Sequence, residues 1–220
     1  MENFALYAVA TLVLGIVGIE IARGIRMKFI VTTALWGSFR LRHFAGAAGT
    51  VAFAFVCYAI VKDLHPAMGL SLGKMLLGET GGFNVGFAPA VLAEREIGGG
   101  AGKIVATAFV LVLAVIIAPV NQWEEETFRM GYDRIRDVPV RSAYFGAAHF
   151  LMGIPVSLCV VLSFVGAIWH VAYLAKIRKF RDYDPGLVEH IRLAGACESA
   201  LYHNAHNNLM FVMFIAYLWA

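Results

Sequence analysis

Residues 104–139 read IVATAFVLVLAVIIAPVNQWEEETFRMGYDRIRDVP. From Ile104 to Val120 the run carries no charge. A helix rises about 1.5 Å per residue and a hydrocarbon layer is about 30 Å thick, so about 20 mostly apolar residues make a crossing. The run therefore predicts a membrane span. At Asn121 it gives way to the most charged stretch of the chain, with Glu124, Glu125 and Glu126 in succession. An oily helix that ends in three carboxylates sets the class of the chain and poses the question of what those acids do.

The rest of the chain agrees with that class. Of 220 residues, 60% are hydrophobic and 15% charged, against roughly 45–50% and about 25% in soluble domains; the mean hydropathy is +0.72. Such a composition excludes a disordered chain, a collagen-like fibre and a disulfide-stapled module, and argues against a soluble enzyme. Further spans are predicted at 4–22, 44–61, 140–154, 156–174 and about 200–220. A short interfacial helix is expected within 23–43, and 62–100 reads as a connection with one amphipathic helix. The first run has no basic segment ahead of it and reads as a retained span rather than a signal peptide. The expected fold is an all-α polytopic transmembrane bundle of about 6–8 membrane helices, one domain over 1–220.

The net charge of +3 does not suggest nucleic acid as a partner, because the basic residues sit in short clusters between apolar runs. Clusters at 23–43, 129–141 and 175–181 fall on one side of the predicted spans, which the positive-inside rule makes the cytoplasm, with both termini outside. The expected location is a membrane crossed many times, the inner or plasma membrane if the source is bacterial. Cys57, Cys159 and Cys197 lie in apolar or small-residue surroundings without a CxxC pair, and read as buried free thiols.

Ionisable groups inside an oily bundle are costly and mark function by default. Three clusters stand out. In the first, Glu125 and Arg129 are i,i+4 neighbours that can pair, while Glu124 lies about 100° around a helix from Glu125 and need not share that cation. A carboxylate without a cation, away from water, is suited to general-base work; a charged cap on the preceding span is the alternative. The second cluster is Phe145 and His149 beside Gly146, Ala147 and Ala148, where small residues let another helix approach. The third runs from Glu198 to Asn208 and holds Tyr202, His203, Asn204, His206, Asn207 and Asn208. His203 and Asn207 share one helix face; His206 and Asn208 point elsewhere and suit an interface. A carboxylate, two imidazoles and a carboxamide can activate a water and hold an oxyanion. Glu124, His149 and His203 could instead hold a metal such as Zn²⁺.

Taken in order, EExxxR (Glu124, Glu125, Arg129), FxxxH (Phe145, His149) and HxxxN (His203, Asn207) resemble the motifs of the CPBP family, the CAAX-protease and bacteriocin-processing (Abi) intramembrane proteases. The resemblance covers about 104–215. It implies Glu124 as the base that activates water, assisted by His149, with His203 and Asn207 on the oxyanion and Glu125 paired to Arg129. Phe145 belongs to the second motif as a supporting residue. It implies no cofactor in the glutamate-type reading favoured here, Zn²⁺ in the metallopeptidase reading, and as partners the lipid bilayer and a membrane-associated protein or peptide cut near its C-terminus. Glu124 and His149 are 25 residues apart, so their helices are expected to pair through a tight turn around Arg136–Pro139. The competing expectation is a non-proteolytic membrane binding or immunity protein that keeps a polar helix bundle. A proton-coupled transporter would show an internal repeat, and none is evident.

Overall fold

The computed structural model describes residues 34–71, 88–180 and 185–220, together with 7, 8, 10–15 and 19. Most of the span expected at 4–22, the first part of the interfacial segment and the centre of the 62–100 connection lie outside the described residues. Those described fold into helices α1 (Leu41–Val61), α2 (Ala88–Ile97), α3 (Gly99–Arg129), α4 (Val138–Phe150), α5 (Val156–Lys179) and α6 (Val188–Trp219), with short 3-10 turns and no strand among them. Three of these, α1, α3 and α5, are long and apolar enough to cross a membrane.

The charged stretch after Val120 continues α3 unbroken through Glu124 and Glu125 to Arg129. The segments that follow differ from expectation. In place of a crossing over 140–154, α4 is 13 residues long, which at about 1.5 Å per residue spans only about 20 Å. The reversal between α3 and α4 is made at 130–134, where Gly131 takes a φ of 85°, and not at Arg136–Pro139. Pro139 instead opens α4 near its first position, where its missing N–H costs nothing. Nor do α3 and α4 pair closely, because α4 packs chiefly on α5. Gly146 permits this: a Cβ there would collide with the Ser163 hydroxyl and the Cys159 carbonyl on α5. Val188–Trp219 is one continuous helix, α6, longer than the span expected at about 200–220.

α6 is the hub, in contact with α1, α3 and α5. It runs antiparallel to α3, as the bond from Trp219 Nε1 near its end to Thr107 Oγ1 near the start of α3 requires (3.0 Å). The first turns of α1, the ends of α3 and α5 and the first half of α6 meet at one end of the bundle. There Arg42 and Lys176 converge on Glu198 (2.9 and 3.4 Å), and Arg192 and Tyr173 clip the 130–134 turn through Asp133 (2.8 and 2.6 Å). The basic clusters around 40–43, 129–141 and 175–179 thus share that end.

The surface is far more apolar than that of a soluble domain, and polar side chains share the interior with apolar ones. Leu111, Val112 and Val115 of α3, Phe164, Ile168 and Val171 of α5 and Phe55, Val56 and Ile60 of α1 face outward. Thr50, Asn121, Glu125, Arg129, His149, Ser199, His203, Asn204 and His206 are buried. Apolar side chains outside and polar ones inside suit a lipid surround, where exposed hydrophobes cost nothing and polar groups must find partners within the protein. Cys159 is buried, whereas Cys57 and Cys197 are only partly so; all three are free thiols.

Candidate active site near the basic end

The last turn of α3 delivers the carboxylates. Glu125 is completely enclosed, and both of its oxygens are engaged. Oε2 meets Arg129 Nη1 at 2.7 Å and accepts a hydrogen bond from the Ser199 hydroxyl of α6. Oε1 accepts from His203 Nδ1 at 2.9 Å. Arg129 is equally buried; its Nη2 donates to the Gly166 carbonyl of α5 (3.3 Å), and its guanidinium lies 4.9 Å from the Phe145 ring. The i,i+4 pair expected from the sequence exists, and its partners on α5 and α6 complete it. A charge pair this deep needs partners within the protein; both Glu125 oxygens have them, while Arg129 Nε has no hydrogen-bond partner among the described residues.

His203 stands at the centre. One face stacks on Trp169 of α5, with ring centroids 4.2 Å apart and an interplanar angle of 26°, and the Phe145 ring meets it edge-on at 5.7 Å. An ionised carboxylate can only accept, so the bond to Glu125 puts a proton on Nδ1 and turns Nε2 toward the other carboxylate. That is Glu124, whose Oε2 lies 3.6 Å away. This exceeds hydrogen-bond length, and Glu124 makes no hydrogen bond among the described residues. Its side chain retains 12% exposure. Two adjacent acids therefore differ in kind: Glu125 is saturated and sealed, Glu124 is open and unsaturated.

The other motif residues join through Phe145 and α6. His149 lies against Phe145 (centroids 4.5 Å) and its Nδ1 donates to the Phe145 carbonyl at 2.7 Å, which leaves Nε2 as the acceptor of the ring. Glu124 and His149 make no hydrogen bond or ion pair with each other among the described residues. Asn207, one turn beyond His203, is half-buried, and its Nδ2 donates to Asn121 Oδ1 at 2.9 Å. Glu124, Glu125, Arg129, Phe145, His149 and His203 thus form one cluster, with Asn207 on its flank.

His203 and His149 are each bonded through Nδ1, which leaves both Nε2 atoms uncommitted; among the described residues no group of three His, Cys, Asp or Glu side chains is placed to hold an ion.

Several participants escaped the sequence reading. Ser199 completes the stripe Ser199–His203–Asn207 at i,i+4 spacing, a signal that was available. Trp169 and Asn121 had no local signal, since their partners come from other helices. His206 is corrected outright: it is not interfacial but 4% exposed, and its Nδ1 donates to Thr50 Oγ1 of α1 at 2.9 Å. The Thr50 hydroxyl itself donates to the Ala47 carbonyl (2.9 Å). Asn208 turns back on its own helix, donating to the Asn204 carbonyl (2.8 Å).

No family model matches the chain, and no curated protein and no solved structure does.

Proposed function

We propose that the chain is an intramembrane endopeptidase that hydrolyses a peptide bond of a membrane-associated protein or peptide, near its C-terminus. The observation that carries this reading is the contrast at His203. One imidazole lies between a sealed carboxylate, Glu125, that fixes its tautomer and an unsaturated one, Glu124, that is free to take a proton. The order of the three motifs, similar to that of the CPBP proteases, supports it independently.

In this mechanism Glu124 removes a proton from a water, with His149 Nε2 as a second acceptor, and the resulting hydroxide adds to the scissile carbonyl carbon. The oxyanion takes hydrogen bonds from Asn207 Nδ2 and from His203 Nε2 in its protonated form. When the tetrahedral intermediate collapses the C–N bond breaks, and the proton held by Glu124 passes to the leaving amine. Positioned acids and bases supply about 10²- to 10⁴-fold, and an oxyanion donor about 10²- to 10³-fold. No step needs a metal, so treatment with a chelator leaves the rate unchanged.

The same proposal takes the bundle to have six to eight membrane helices, with short ones such as α4 entering without crossing. Its basic end faces the cytoplasm. Glu124 lies within about two turns of the end of α3, so water reaches it from that side.

A binding or immunity protein is the second reading, favoured by the complete satisfaction of Glu125, which a purely structural knot would also show. Glu124→Gln separates the two. Protein C-termini are compared by mass spectrometry in source cells expressing wild type or the variant at equal levels. Tails that remain uncut only in the variant support the peptidase. Identical termini, with both forms rescuing a deletion phenotype, support the binding protein.

A further inference from the structure

Behind Asn207 lies a chain of carboxamides that no motif contains. Asn207 Nδ2 donates to Asn121 Oδ1 (2.9 Å), and Asn121 Nδ2 donates to Asn204 Oδ1 (3.1 Å). Asn208 Nδ2 donates to the Asn204 carbonyl and approaches its Oδ1 at 3.4 Å. Asn121 and Asn204 are buried, at 1% and 0% exposure. Asn121 is three residues before Glu124 and lies on α3, so the chain ties the helix that carries the acids to the helix that carries His203 and Asn207.

The direction of these bonds matters more than their number. A carboxamide has two ends of similar shape and opposite character, one accepting and one donating. Asn204 Oδ1 has N–H groups from two sides, Asn121 and Asn208; turning that amide over would set donor against donor. With Asn204 so fixed, Asn121 must offer its nitrogen to Asn204 and its oxygen to Asn207. Asn207 in turn must present its nitrogen side, using one N–H on Asn121 and keeping the second. With an apolar residue at 121, nothing would hold Asn207 in this sense, and its oxygen could face a developing negative charge.

We propose that Asn121 is a positioning residue of the site: anchored by Asn204, it fixes the sense of the Asn207 carboxamide, so that an Nδ2–H and not the oxygen is offered to the reacting carbonyl. The inference rests on the peptidase reading.

The test uses the full chain in source cells lacking their own copy. Its readout is the rate at which membrane-protein C-terminal tails disappear after a pulse of label, at matched protein levels. Asn207→Leu is expected to slow removal about 10²- to 10³-fold. Asn121→Leu is expected to slow it about 10- to 100-fold, as a misplaced catalytic group does, and to add nothing in the Asn207→Leu background. Asn121→Asp, which in its neutral form offers one acceptor and one donor, restores most of the rate. Should Asn121→Leu fail to accumulate, Asn121→Ser, whose hydroxyl is too short to reach both neighbours, is read in its place with the same expectation. Wild-type rates in the folded position-121 variant, or losses at 121 and 207 that multiply in the double variant, would overturn the inference while leaving the peptidase intact. Termini that do not differ between wild type and Glu124→Gln overturn the peptidase reading itself.

Discussion

Glu125 and Glu198 each gather a cation and an imidazole, yet they sit in different surroundings. Glu125 has Arg129, His203 and Ser199 around it, and both members of its ion pair are almost wholly enclosed (0% and 2% side-chain exposure). Glu198 has Arg42, His43 and Lys176, but Arg42 is 61% exposed and Lys176 30%. Counting partners would rank Glu198 at least equal. Burial reverses the order: removing one partner from a sealed pair leaves an uncompensated charge where water cannot follow, whereas the outer cluster can recruit solvent. The inner centre is therefore the one whose composition is least free to change.

The largest effect expected from this comparison is that of Arg129→Ala, which strands Glu125 and should cost about 3–5 kcal/mol. Thermal unfolding of the protein in detergent micelles reads it; an unchanged transition would mean that Glu125 is hydrated and the contrast is false. A smaller loss is expected for Thr50→Val. His206 is as buried as His203 but has a neutral partner, and leaving its Nδ1–H unmatched should cost about 1–3 kcal/mol. If the transition does not move, a buried imidazole here tolerates an unpaired donor, and burial alone is a poor guide. Arg42→Ala is the smallest, at about 0–1 kcal/mol and shrinking further as salt is raised. A loss equal to that of Arg129→Ala would show that the outer cluster is shielded by lipid.

The helical class was legible because crossing a bilayer demands long apolar runs, and 44–61, 104–120 and 156–174 each fall within a helix of the structure. The pairing of Glu125 with Arg129 and the shared face of His203 and Asn207 were legible because i,i+4 spacing is local. What escaped was tertiary. The partners of the charged stretch 121–129 could not be read locally: a stretch of helix this polar persists inside an oily bundle when another helix supplies its partners, as Ser199 and His203 do for Glu125. His206 looked interfacial for the same reason, since Thr50, which accepts its hydrogen bond, lies 156 residues away. The length of α4 was misread because an apolar run reports the surroundings of a segment and not where its backbone turns.

The continuity of α6 bears on how the protein is made. Of the described helices it is the last to leave the ribosome and the one that brings the most polar groups into the bundle, among them Glu198, Ser199, His203, Asn204, His206 and Asn207. Alone, such a segment is a poor candidate for partition into lipid. Its partners are synthesised first: Thr50 on α1, Asn121, Glu125 and Arg129 on α3, Trp169 on α5. α6 thus enters against a surface already shaped to accept it, and until it arrives Glu125 lacks its imidazole and hydroxyl and Asn121 both of its carboxamides. A nascent chain stalled before α6 is the species in which the quality control of the membrane has most to recognise.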